Sequence, residues 1–228
     1  MSWKILIERG NLGFSAAHFI TFAGECEPLH GHNYGVRVEA SGPLTTDSYV
    51  LDFVLLKDIV RALCREWDHR FLMPLHNPHL RVTQLEDTWE IEYTGDLSLL
   101  PNAPTSPIRY VMPTWTVVPL PVDNVTAERL AERLAHDIVR ELRRRGAGEG
   151  LTSLMVGIEE TEMQVAFYRL DLTSGQGSKP DERADAGAGE GSGARRQMER
   201  WTEVIARLSS ELTTPAPSVT FGDGPKNV

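Results

Sequence analysis

Cys26-Glu27-Pro28-Leu29-His30-Gly31-His32-Asn33-Tyr34 places a thiol four residues before a His-x-His pair and then runs into strict alternation. From Tyr34 onward the side chains separate cleanly. Tyr34, Val36, Val38 and Ala40 take one face, and Gly35, Arg37 and Glu39 take the other. That period of two predicts a strand with one buried side. On such a strand His30 and His32 project from the same face, with Gly31 keeping the backbone between them uncrowded. Neutral imidazole suits Zn²⁺, and a catalytic zinc commonly has three protein ligands and one open position. His18, closing Phe14-Ser15-Ala16-Ala17-His18, is the candidate third ligand, and the small residues before it allow two strands to approach closely. A cupin barrel also uses His-x-His but follows it closely with a glutamate, whereas the next one here is Glu39.

With 228 residues the chain fits one sizeable domain with appendages, or two small ones. It contains no apolar run of the roughly 18 residues that a membrane-spanning helix needs. Met1-Ser2-Trp3-Lys4-Ile5-Leu6-Ile7-Glu8 lacks the layout of a signal peptide and reads as a first strand. Two cysteines that need not pair point to a reducing, cytoplasmic setting. A net charge of −9 disfavours a general nucleic-acid partner. A cytoplasmic enzyme or binding module remains, with neither nucleic acid nor membrane as partner.

Outward from the His-x-His strand, residues 3–9 and 12–18 read as one long strand bent at Gly10 or Gly13. Tyr49-Val50-Leu51 reads as a brief extended piece. Asp52 is a plausible N-cap for a helix with Leu55, Leu56, Ile59, Val60 and Leu63 on its apolar face, ending around Trp67. Cys64 falls beside that stripe and is expected in the core. Residues 124–145 predict the second helix, capped by Asn124 or Asp123, with Leu130, Leu134, Ile138, Val139 and Leu142 inward. Arg143-Arg144-Arg145 suits its negative end, and Gly146 stops it. Strands follow at 151–160 and 163–171. The order β-β-α-α-β-β makes an α+β sheet with both helices on one face. Residues 79–122 read as an inserted hairpin with loops. Residues 173–194 are expected to form a flexible linker, 195–212 an amphipathic tail helix, and 213–228 to be disordered.

A second constellation follows the first helix: Trp67-Asp68-His69-Arg70. A carboxylate next to an imidazole orients the ring and raises its basicity. A thiol near a positive charge, as Cys26 would be near a metal, loses its proton more easily and can serve as base or nucleophile.

Phe14-Ser15-Ala16-Ala17-His18, Cys26-x3-His30-Gly31-His32-Asn33-Tyr34, Leu51-Asp52-Phe53, Asp68-His69, Asn124-Val125-Thr126-Ala127-Glu128 and Glu160-Thr161 stand in one order along the chain. In that order they resemble the 6-pyruvoyl-tetrahydropterin synthase family, which includes the bacterial 6-carboxytetrahydropterin synthases of 7-deazaguanine (queuosine) biosynthesis. The likeness spans roughly residues 5–75 and 122–170. It implies the tunnelling fold: a four-stranded antiparallel sheet with two helices on one side, assembled edge to edge into trimer-based homo-oligomers, often hexamers. It further implies that His18, His30 and His32 hold Zn²⁺ and that Cys26 is the proton-abstracting thiolate. Asp68 and His69 would be an acid/base pair supplied by a neighbouring subunit, and Glu160 would anchor the pterin. Glu159 beside it leaves that anchor ambiguous by one residue. The implied activity is a zinc-dependent lyase acting on 7,8-dihydroneopterin triphosphate: first the carboxy enzyme, which loses triphosphate and acetaldehyde and whose bacterial thiol-to-His spacing this chain matches, with the pyruvoyl enzyme, which loses triphosphate alone, as the alternative. A non-catalytic zinc- and pterin-binding relative is the alternative of a different class. Phe19-Ile20 and Val125 depart from the family's usual residues, and the insertion is expected to cover the pocket or alter triphosphate recognition.

Overall fold

The computed structural model describes residues 2–8, 12–100 and 104–173. All of them belong to the first of two units, Met1–Ala186. The expected linker beyond residue 173, the tail helix and the final segment lie outside the described residues.

In chain order the strands are β1 (Trp3–Ile7), β2 (Gly13–His18), β3 (Thr21–Phe22), β4 (Glu25–Cys26) and β5 (His30–Gly42), followed by helix α1 (Phe53–Trp67). Then come β6 (Arg70–Pro74), β7 (Leu80–Gln84), β8 (Thr88–Tyr93), β9 (Arg109–Pro113) and β10 (Val117–Leu120). Helix α2 (Ala127–Arg144) and strands β11 (Ser153–Thr161) and β12 (Gln164–Asp171) complete the body. The fold class is mixed α+β, with two helices packed on the sheet, as the periodicities predict.

The 13-residue β5 organises the sheet. Both halves of the expected first strand, β1 and β2, pair antiparallel with it on one side, and β11 then β12 continue on the other. Its even-numbered residues Tyr34, Val36, Val38 and Ala40 are buried. They join Leu154, Val156 and Ile158 of β11 in the core beneath the helices. Asp52 caps α1 as expected, accepting from the Val54 amide at 2.7 Å. Leu56, Ile59, Val60, Cys64 and Trp67 are buried along one stripe of that helix. In α2 the N-cap is Thr126 rather than Asn124 or Asp123, its hydroxyl accepting from the Arg129 amide. The two earlier residues are occupied elsewhere: Asp123 meets Arg129, and Asn124 bonds Thr21. Gly146, at φ +63°, ends the helix in the left-handed conformation that glycine adopts freely.

The sheet is larger than the four strands the resemblance implies. Among the described residues it has seven, because β6 joins β2 in parallel and β10 joins β6 in parallel. This also corrects the insertion's boundary, since Val117–Leu120 belongs to the main sheet. Nor is the insertion a hairpin: β7, β8 and β9 form a three-stranded antiparallel sheet. Tyr49–Leu51 forms no strand, although Val50 and Leu51 are buried in the core.

Candidate metal centre

The register of β2 against β5 builds the centre. His18 lies directly opposite His30, and His32 lies opposite Ala16, whose small side chain leaves room for the ring. A Cβ on Gly31 would stand 2.9 Å from the Ala16 carbonyl oxygen, so the close approach of the two strands requires glycine there. The three imidazoles form a triangle, with ring centres 4.5 Å (His18–His30), 5.1 Å (His30–His32) and 5.3 Å (His18–His32) apart. One nitrogen from each lies within 4.8 Å of the others, the arrangement of a metal-holding cluster.

Two rings have their orientation fixed from behind. His18 Nδ1 lies 2.8 Å from the Val125 carbonyl and His30 Nδ1 lies 2.8 Å from the Pro28 carbonyl. A carbonyl can only accept, so both rings carry the proton on Nδ1 and present a bare Nε2. This is how ligating histidines are prepared in metal proteins. His18 is fully buried, and burial is the main reason its pKa falls below the ordinary histidine value, which favours the neutral form. The donor set, three imidazoles with a carboxylate alongside, fits Zn²⁺.

That carboxylate is Glu160. Its Oε1 lies 3.4 Å from His18 Nε2 and 3.8 Å from His32 Nε2, and it accepts from the Tyr34 hydroxyl at 3.2 Å. Tyr34 also stands 3.1 Å from His18 Nε2. The register shift between Glu159 and Thr161 marks an irregularity in the β11–β12 pairing at this point. Glu159 faces away. It pairs with Arg37 at 2.5 Å and accepts from the Met163 amide, and that amide, then Arg37, holds its carboxyl below the usual range. Of the two glutamates, Glu160 is the one at the cluster.

Cys26 is placed differently. It is buried in a second apolar cluster with Phe19, Phe71 and the insertion's Trp89, Ile91 and Tyr93, and it is not a member of the histidine group. Burial pushes its thiol up to about 11, and the neighbouring Glu27 carboxylate pushes it the same way. Cys64 is buried as expected and rises to about 12. Glu27 approaches one of the imidazoles, with Oε2 3.9 Å from His30 Nε2. The inserted sheet closes over this loop. The Tyr93 hydroxyl donates to the Gly24 carbonyl, and the Tyr110 ring stacks on Phe19 at 5.6 Å.

Asp68 and His69 form the expected pair, His69 Nδ1 lying 2.9 Å from Asp68 Oδ2. They stand outside the cluster, with the His69 side chain 80% exposed. His69 has φ +57°, uncommon for a residue with a side chain, and its amide donates to the Ser15 carbonyl at 2.6 Å. Asp68 accepts from the Ser15 amide at 2.8 Å. That bond is the chief cause holding its carboxyl below the usual range, assisted by His69 against the opposing effect of burial. A folded pKa below the unfolded one gives stability that is complete above the ordinary aspartate pKa of about 3.9 and fades as pH falls below it. The stability difference between wild type and Asp68→Asn, read from urea midpoints, is expected to be largest near neutrality and to close below about pH 4. A difference constant with pH would remove this carboxylate from the fold's acid response.

Tyr34 and Glu27 escaped the sequence reading as site residues. Tyr34 was readable, two positions after His32 on the same strand face. Glu27 was not, because its approach depends on the turn through Pro28 rather than on any periodicity. Among the described residues no helix is long and apolar enough to cross a membrane.

A family model described as 6-pyruvoyl tetrahydropterin synthase matches residues 9–171. A Methanocaldococcus jannaschii protein named putative 6-carboxy-5,6,7,8-tetrahydropterin synthase is 31% identical over 159 residues, covering 69% of this chain and 90% of the relative. A Pyrococcus horikoshii protein of the same name is 30% identical, covering 70% and 87%. Among solved structures, a Plasmodium vivax 6-pyruvoyltetrahydropterin synthase whose catalytic glutamate is replaced by alanine superposes with a TM-score of 0.66. It is 25% identical, over 75% of this chain and 99% of that one. With the family's model spanning nearly all of the sheet-and-helix body, this chain belongs to the 6-pyruvoyl tetrahydropterin synthase family.

Proposed function

We propose that the protein is a zinc-dependent lyase of the 6-carboxy-5,6,7,8-tetrahydropterin synthase type. It would convert 7,8-dihydroneopterin triphosphate with loss of triphosphate and acetaldehyde, a step of 7-deazaguanine (queuosine) formation. The observation that carries this reading is the convergence of His18, His30 and His32 beside Glu160. The names of two relatives matched over most of their length favour the carboxy over the pyruvoyl reaction.

His18, His30 and His32 would hold the ion, which when bound polarises substrate oxygens and acidifies the C–H bonds beside them. Glu160 can accept two parallel hydrogen bonds from the 2-amino and ring N–H edge of a pterin, and the Tyr34 hydroxyl orients it for that role. Cys26 is the proposed base that removes the substrate proton as a thiolate. The exposed Asp68–His69 pair is proposed to serve a neighbouring subunit's site, where His69 moves a proton and Asp68 keeps its ring oriented. That division of labour requires a homo-oligomer, proposed here as a trimer or a hexamer of two trimers. It also suits the sheet, whose β12 edge has no partner strand among the described residues. The proposed setting is the cytoplasm.

One observation favours a second reading of the base. Glu27 lies beside His30, and the mutated catalytic residue of the Plasmodium vivax enzyme is a glutamate. In that reading Glu27 takes the proton, and the buried Cys26 shapes the loop.

Incubating the zinc-loaded protein with 7,8-dihydroneopterin triphosphate tests the reaction. Release of triphosphate together with acetaldehyde is the expected result. Triphosphate alone would assign the pyruvoyl reaction, and neither product would leave a non-catalytic pterin-binding protein.

A further inference from the structure

We infer that Asn77 and Asn124 are positioning residues that fix which nitrogen His18 offers to the cluster, an inference resting on the metal reading above. His18 is held from behind by the Val125 carbonyl. Val125 lies in the connection between β10 and α2, outside any strand or helix, so something else must hold that carbonyl still. The Asn124 amide does so locally. Its Oδ1 accepts from the Val125 amide at 3.1 Å and from the Thr21 amide at 3.3 Å, while its Nδ2 donates to the Thr21 carbonyl at 2.7 Å. Asn77 ties the same pieces from the connection between β6 and β7. Its Nδ2 donates to Thr21 Oγ1 at 2.7 Å and to the Asp123 carbonyl at 2.8 Å, and its Oδ1 accepts from the His79 amide at 3.0 Å.

The partners leave each amide one orientation. Backbone carbonyls only accept and backbone amides only donate, so a flipped side chain would face donor to donor and acceptor to acceptor. Asn77 is 5% exposed, and a buried amide is costly unless it is satisfied in this way. The knot joins Thr21, three residues beyond His18 on the chain, to the backbone of residues 123–125. The imidazole and the carbonyl that sets its tautomer are thus tethered to the same point. Both asparagines reach His18 through the Val125 carbonyl behind its ring.

Asn77→Asp is the decisive substitution. It keeps the shape and the acceptor for His79 but cannot donate to the Asp123 carbonyl. In the full-length protein, zinc affinity by competition with a chromophoric chelator is expected to fall about 10- to 100-fold, the usual cost of losing an outer-shell partner. Ring ¹⁵N shifts of the metal-free protein should show His18 as a single Nδ1–H tautomer in the wild type and as a mixture in Asn77→Asp. Ile138→Val, a trimmed core residue on the buried face of α2, should lower the melting temperature while leaving both readouts unchanged. Wild-type affinity together with a single tautomer in Asn77→Asp would overturn the inference. If Asn77→Asp does not fold, Thr21→Val, which deletes only the Oγ1 acceptor, must show the mixture, and a single tautomer there overturns it equally. A wild-type protein that binds no zinc would instead defeat the metal reading, and the tautomer measurement would still decide the role of the asparagines.

Discussion

Replacing His30 with alanine should yield a folded protein that no longer retains zinc after dialysis against a chelator and that has lost turnover. The physical argument is local. His30 is one of three nitrogen donors within 4.8 Å of one another, and its Nε2 is turned to the cluster by the Pro28 carbonyl behind it. Removing a ligand itself should cost more than the roughly 10- to 100-fold in affinity that follows loss of an outer-shell partner. The fold should survive, because the His30 side chain is 35% exposed and its strand is held by twelve further residues of ladder pairing with β1, β2 and β11. Metal analysis alongside circular dichroism checks this. Full zinc occupancy in the folded variant would remove His30 from the ligand set.

The second large effect concerns the proton. Cys26→Ala should retain zinc and assembly while kcat falls by about 10²- to 10⁴-fold, the range that a positioned general base contributes. The structure makes this a sharp test, because a thiol pushed to about 11 is almost wholly protonated near neutral pH unless a positive charge acts on it. Glu27→Gln, measured in parallel, separates the two readings. If Cys26→Ala keeps near-normal turnover while Glu27→Gln falls by the same factor, the base is the carboxylate beside His30. Since Cys26 shares its apolar cluster with Tyr93 and Trp89, the alanine variant should also be checked for the loosening that a small cavity brings.

Much of the body was legible because its signals are short-range. The alternation from Tyr34 to Ala40 predicts β5, and the same period puts His30 and His32 on one face. Asp52 before the stripe from Leu56 to Trp67 predicts α1 with its cap. The Asp68–His69 contact follows from adjacency in the chain. Where signals conflicted, geometry decided. Asn124 looks like a cap, but its amide is spent on Thr21 and Val125, leaving Thr126 to cap α2. The parallel strands β6 and β10 were missed because their pairing closes long loops, and no local period separates a short buried strand from a loop.

By itself the sequence determined the periodic elements, the family motifs and the three histidines as one set, because strand alternation and ligand spacing are written in neighbouring residues. Only the tertiary structure decided that Glu160 rather than Glu159 reaches those rings and that Cys26 is buried while Glu27 stands beside His30. It also decided that a carbonyl 107 residues away sets the tautomer of His18. Each of these depends on contacts between segments far apart in the chain, and burial and hydrogen-bond partners come into being only when those segments pack.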